Sequence, residues 1–223
     1  MKYSDIPLSA HGSINAVGGR FNIGNFDPEQ FEPFPALYIA ADKETAIQER
    51  LGEVEGAAEM DLLHRALQDQ NPMSIFSLRG NISLTLDLTH REALEPFVER
   101  IRNFKFPTDM RSWARRLQVY TPELEPVTNV EALIKGLMAV RWRADPNMLG
   151  IPAASQVFGR LTRAAGIQAI RYPSAKSGKS CLAIFPHNLE RSDGFVELDG
   201  ELSPEQEKRL VKRLDATNWR ALC

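Results

Sequence analysis

Two cysteines, Cys181 and Cys223, and four histidines are few for a chain of 223 residues. Two thiols so far apart build no disulfide framework and no cluster of thiolate ligands. The histidines, His11, His64, His90 and His187, show no i, i+4 pairing and no cysteine neighbour, so a metal site is unsupported. No run approaches the roughly 20 apolar residues of a membrane span. Met1-Lys2-Tyr3-Ser4-Asp5-Ile6-Pro7 has no apolar signal core, and the chain reads as soluble and cytoplasmic. An excess of charge is also missing. A net charge of -2 and a pI near 6.1 offer no general attraction to nucleic acid or to an anionic membrane. Hydrophobic residues at 43% and charged residues at 25% are ordinary globular values, which excludes a disordered chain. No linker or repeat divides the sequence, so one domain over residues 1–223 is expected.

Along the chain, residues 1–16 read as an irregular arm. A short strand is expected from Val17 to Asn22, entered through Gly18-Gly19, where two glycines allow close approach of backbone. Gly24, Pro28, Pro33 and Pro35 make the next stretch a loop. Ala36-Leu37-Tyr38-Ile39-Ala40 is short and almost wholly apolar, as a buried strand is. Asp42 suits the N-cap of a following helix and Gly52 its stop. Residues 53–72 are polar and read as a helical or loop excursion.

Two strands are expected next, Met73 to Leu78 and Ile82 to Leu88, the second alternating with Ile82, Leu84, Leu86 and Leu88 on one face. A helical region follows from Thr89 to about Arg143. A helix from about Ala153 to Ala165, closed by Gly166, is expected to turn Val157, Phe158 and Leu161 inward. Strands at Ile167–Tyr172 and Cys181–Phe185 come next. Ser203-Pro204-Glu205-Gln206 matches a capping box with proline at the first helical position, predicting a terminal helix over 204–218.

Three residues are the candidates for chemistry: Arg20 in Gly18-Gly19-Arg20-Phe21-Asn22, Tyr38 in the strand after it, and Glu49 in Glu44-Thr45-Ala46-Ile47-Gln48-Glu49. Taken singly, Arg20 is a surface arginine ending a strand, Tyr38 a core ring and Glu49 a solvated helix carboxylate. Taken together they suit a nicotinamide dinucleotide. An arginine fork beside exposed glycine amides can grip a diphosphate, and an aromatic face can hold the nicotinamide. Breaking the nicotinamide–ribose bond leaves an oxocarbenium-like centre that a carboxylate stabilises. Ser174, after Tyr172-Pro173, reads either as a turn serine or as a hydroxyl bonding the same ligand.

Two patterns are set aside. Pro173-Ser174-Ala175-Lys176-Ser177-Gly178-Lys179-Ser180 imitates a phosphate-binding loop, but proline stands in the place of the first glycine and a strand follows where a helix is required. Arg111, Arg115 and Arg116 with Trp113 read as a solvated helix face rather than a nucleic-acid contact.

Gly-Gly-Arg-Phe-Asn, Leu-Tyr-Ile-Ala, Thr-Ala-Ile-Gln-Glu and Tyr-Pro-Ser-Ala occur in that order. Together they resemble the RES domain, named for its arginine, glutamate and serine and known from bacterial toxin–antitoxin modules. The resemblance implies an α+β fold of the ADP-ribosyltransferase type, a mixed split β-sheet core flanked by helices with NAD in the cleft. It implies a toxin that consumes NAD as substrate, by hydrolysis or with phosphate as co-substrate. It also implies an Xre-like helix-turn-helix antitoxin as partner. The arginine falls on Arg20, the aromatic on Tyr38, the glutamate on Glu49 and the serine on Ser174, with Gly19 and Asn22 beside the substrate. Neither a metal nor direct binding of nucleic acid or membrane is implied. Phe21 departs from the tryptophan common at its place, and the helical region at about 91–150 is expanded. Transfer of ADP-ribose to a protein and a non-catalytic binding module of the same fold are the alternatives.

Overall fold

A computed structural model describes residues 6–51, 74–102, 127–143, 145–190, 192–200, 202 and 204–223. The sequence expectations for Gly52, residues 53–72, the Arg111–Arg116 patch and the cap at Ser203 lie outside the described residues. The fold is α+β. Among the described residues, helices and three small sheets are interleaved.

The central sheet has four strands in the order β3 (Leu37–Ala40), β7 (Ser180–Ile184), β6 (Ala169–Pro173) and β5 (Thr85–Asp87). The β5–β6 pair is parallel and the other two are antiparallel, so the sheet is mixed. Tyr38 lies opposite Ala183, and Tyr172 opposite Cys181, which puts both tyrosines on one face. That face also carries Leu86 and Ile170 and packs on Phe21, Phe158, Leu94 and Leu137. The other face carries Leu37, Ala169 and Ile184 and packs on Leu8, Leu189 and Leu214. A sheet covered on both sides explains why its strands read as nearly unbroken apolar runs.

A second sheet, in the order β4 (Ser77–Asn81), β8 (Phe195–Asp199) and β9 (Arg213–Asp215), is antiparallel throughout. Strand β9 corrects the expected terminal helix. Helix α5 spans only Pro204–Arg209, and Leu214, fully buried, continues the chain as an edge strand against β8. The cap signal was local, whereas burial of Leu214 against Val196 and Leu189 is tertiary. Strand β4 likewise begins at Ser77. In the next segment only Leu86 and Leu88 reach the central core; Leu84 is 51% exposed and Ile82 packs on the other cluster. The chain leaves one sheet and enters the other within this stretch, so no single face can hold all four residues.

Helix α1 (Lys43–Leu51) starts where expected, with Asp42 Oδ1 accepting from the Thr45 amide at 2.9 Å. Helix α2 spans Glu95–Ile101, and α3 spans Val130–Leu137 with Asn129 as its cap. Helix α4 (Ala154–Ala164) presents an unexpected face. Phe158 is buried, but Val157 is 43% and Leu161 37% exposed, while Ser155, Gln156, Gly159 and Thr162 turn inward. The helix lies on backbone rather than on side chains. A β-carbon on Gly159 would stand 2.0 Å from the Phe21 carbonyl oxygen.

Two glycines in two helices therefore predict opposite responses to alanine. Gly159→Ala is expected to cost about 1–3 kcal/mol, because a backbone carbonyl has to move. Gly136→Ala in α3, with no described atom within 4 Å of the added carbon, is expected to add about 0.5–1 kcal/mol. Urea unfolding of the two variants measures both, and shifts of the same sign would refute the packing described here.

Candidate active site

The segment carrying Arg20 is a tight hairpin rather than a strand. Strands β1 (Gly18–Gly19) and β2 (Asn22–Ile23) pair, and Arg20 and Phe21 form the turn between them. Two buried carboxamides hold this turn. Gln156 Nε2 donates to the carbonyls of Val17, Gly19 and Asn22 at 2.6, 3.1 and 3.0 Å, and its Oε1 accepts from the Ala153 amide. Asn22 Oδ1 accepts from the Gly19 amide at 3.0 Å and from the Tyr38 hydroxyl at 2.9 Å, while its Nδ2 donates to the Ser13 and Phe34 carbonyls. Both side chains are fully buried.

These bonds reassign two expected ligand contacts. The Gly19 amide is spent on Asn22, and the Asn22 amide is spent on main chain. Both residues shape the turn. Gly19 has to be glycine, since a β-carbon there would lie 2.4 Å from the Tyr38 hydroxyl.

Arg20 leaves the turn toward the C-terminus of α3. One terminal nitrogen donates to the Leu137 and Ala139 carbonyls at 3.1 and 3.0 Å, where the helix dipole is negative. The other nitrogens of the fork make no hydrogen bond among the described residues. Burial draws the guanidinium below its usual pKa; Tyr172, Glu49 and Tyr38 act in the opposite direction, and Arg143 adds to the decrease. Arg20 remains a cation, and Glu49 and both tyrosines lie within its electrostatic reach.

Tyr38 differs from its expected part at one atom. Its hydroxyl accepts from the Phe21 amide at 2.8 Å and donates to Asn22, so the polar end is committed and only the half-buried ring is offered. Burial raises its pKa. Tyr172, quoted in the sequence only as part of a motif, is the second phenol of the site. It is 7% exposed, meets Phe21 edge-on at 4.9 Å, and its hydroxyl makes no hydrogen bond among the described residues. Strand periodicity could have found it, since Tyr172 lies on the Tyr38 face of the sheet.

Glu49 sits in the last turn of α1, on the exposed side, where the helix dipole disfavours a carboxylate. The β6–β7 loop compensates. Ser174 Oγ donates to Glu49 Oε1 at 2.5 Å, and Lys176 Nζ caps the Gln48 and Glu49 carbonyls at 2.8 Å each. Ser174 in turn accepts from the amides of Lys176 and Ser177, both at 3.1 Å. With one bond donated and two accepted by its hydroxyl, Ser174 orients the carboxylate. The imitation phosphate loop is this β-hairpin connection, followed by strand β7. Glu49 Oε2 makes no hydrogen bond among the described residues.

Arg20, Tyr38, Glu49 and Ser174 thus come from a turn, a strand, a helix and a loop to one end of the central sheet. A cavity of about 560 Å³ lined by Arg163, Gln168, His187, Asn188 and Ser192 shares no residue with them. With this geometry in view, the family model of the RES domain matches residues 2–201 of the chain, which therefore belongs to the RES domain family. No curated protein and no solved structure matches it. Among the described residues, no helix is long and apolar enough to cross a membrane.

Tyr38→Phe keeps the ring but leaves the Phe21 amide short of an acceptor. It is expected to cost about 1–3 kcal/mol in denaturant unfolding; no loss would show that the hydroxyl does not hold the turn. Alkaline stability supplies a second test. Burial, then Glu49 and Asp42, push the Cys181 thiol from 9.0 up to about 11, and burial does the same to Cys223. The folded state holds these protons more tightly than the unfolded one. Their contribution is complete below pH 9.0 and lost as pH rises toward 11. Unfolding midpoints should fall over that window, less steeply in Cys181→Ala.

Proposed function

We propose that this protein breaks the nicotinamide–ribose bond of NAD and so consumes the dinucleotide. The observation that carries the reading is a half-buried arginine and an oriented carboxylate within electrostatic reach of each other, each held by other groups and not paired together. Family membership supports it, as does the pair of tyrosines on the same sheet face.

In this reading Arg20 takes the diphosphate, and the Tyr38 ring with the Tyr172 phenol walls the nicotinamide. As the C–N bond breaks, its electron pair returns to the nicotinamide nitrogen and the ring leaves neutral. Positive charge grows on the ribose, and the Glu49 oxygen left open by Ser174 stabilises it. Water then bonds to the anomeric carbon and releases a proton, giving ADP-ribose; inorganic phosphate in its place gives the phosphorylated sugar. The residues have little acid–base work to do, so the contribution is one of positioning and charge. The ADP-ribosyltransferase-like arrangement of the fold, the cytoplasmic setting and an Xre-like helix-turn-helix antitoxin that covers the cleft belong to the same proposal.

The test is nicotinamide release from NAD by the purified protein, with and without phosphate, beside Glu49→Gln and Arg20→Ala. Glu49→Gln can still accept from Ser174, and a loss of roughly 10²–10³ in kcat is expected. Circular dichroism confirms that each variant is folded. Release by the parent alone supports the reading, and dependence on phosphate names the acceptor. Label from NAD on a protein would instead make transfer the activity. No release from folded, partner-free protein would overturn the proposal.

A further inference from the structure

Trp142 is 3% exposed and has two guanidinium groups against its indole, Arg20 at 5.8 Å and Arg143 at 4.4 Å from the ring centroid. Each contact is favourable alone, since the ring face attracts a cation. The pair is another matter. Among the described residues neither arginine has a carboxylate within ion-pair distance, whereas Arg79, Arg91, Arg171, Arg213 and Arg220 all do. Two like charges are gathered round one ring with no neutralising side chain among those described, and Arg143 is among the groups that draw the Arg20 pKa down.

Such an arrangement suits an anion, and its layout narrows the kind. Arg20 is fixed by two main-chain carbonyls through one nitrogen, so its remaining N–H groups point from a rigid base. Arg143 is exposed and reaches the same indole from a separate position three residues beyond Val140. A single phosphate needs one fork; two guanidinium groups gathered against one indole suit two linked phosphates. Glu49, the nearby anion, is directed to Ser174 and does not pair with either arginine.

Resting on the cleavage reading above, we infer that Arg143 and Arg20 form a two-cation clamp across Trp142 for the diphosphate of the substrate. The site then selects a dinucleotide over a mononucleotide by its second phosphate. Arg143 is a binding residue in this scheme and touches no reacting atom.

The experiment compares parent, Arg143→Ala and Arg143→Lys in two arms. In the first, kcat and KM are measured with NAD and with nicotinamide mononucleotide. Arg143→Ala is expected to raise KM for NAD about tenfold or more, mainly through KM rather than kcat. The preference for NAD over the mononucleotide should fall by a similar factor, and Arg143→Lys should recover part of it. In the second arm, ADP-ribose binding is followed by calorimetry, which does not depend on turnover. It should weaken by about the same factor as KM, with a shallower dependence on salt. Because Arg143 is exposed, its truncation opens no core cavity, and urea unfolding verifies that the fold is kept. Cleavage of NAD with an unchanged KM in Arg143→Ala would overturn the clamp and leave the cleavage reading standing. Absence of cleavage with Arg143-dependent ADP-ribose binding would do the reverse. Absence of ADP-ribose binding by the parent would overturn the clamp outright.

Discussion

The carboxamide of Gln156 is the interaction on which the site depends. It sits in the first turn of α4, fully buried, and its Nε2 is shared by the carbonyls of Val17, Gly19 and Asn22. Short strands of two residues each have little stability of their own. The β1–β2 hairpin is therefore shaped from outside, by Gln156 beneath it, Asn22 within it and Tyr38 against it. An unpaired buried carbonyl is costly, so this set of donors leaves the turn one conformation. The close approach at Gly159 follows from the same bonds, because the carboxamide is short and the helix has to come near to deliver it.

From that turn the electrostatics of the site follow. Arg20 and Glu49 have opposite charges and share a neighbourhood, yet each is anchored elsewhere. The arginine is held by the carbonyls that end α3, and the glutamate by the hydroxyl of Ser174. A direct pair would have neutralised both groups and closed the space between them. Held separately, both charges stay fixed and unneutralised by each other, which is what the proposed cleavage requires of them. Lys176 completes the scheme by covering the end of α1, where a carboxylate would otherwise face the negative pole of its own helix.

Much of the local structure was legible. Strand β3 and the strands β6 and β7 are dense apolar runs because the central sheet is covered on both faces. Asp42 marks the start of α1 because the first-turn amides need an acceptor wherever the helix lies. The loop before β3 is written in its prolines. The residues of the candidate site were legible as a set, from the order of the motifs. Their contacts were not: Ser174 serves Glu49, Asn22 and Gly19 serve the turn, and Tyr172 joins Tyr38. Helix α4 misled because its inner face meets peptide groups, which call for glutamine and glycine where periodicity looks for valine and leucine. The terminal segment misled because a capping signal speaks for one turn of helix and not for the buried edge strand beyond it.

By itself the sequence determined the class of fold, the positions of the main strands and helices, and the residue types that gather at the site. The fold class and the site residues came from the resemblance of the ordered motifs to the RES domain; the strands and helices depend on solvent exposure, side-chain periodicity and first-turn hydrogen bonds, which act over a few neighbours. Tertiary structure alone decided which hydroxyl, amide and guanidinium are spent inside the protein and which make no bond among the described residues. That division rests on partners more than a hundred residues apart, such as Arg20 with Leu137, Gln156 with Gly19, and Glu49 with Ser174. Hydrogen-bond capacity is finite, and only the folded chain shows where each donor has been used.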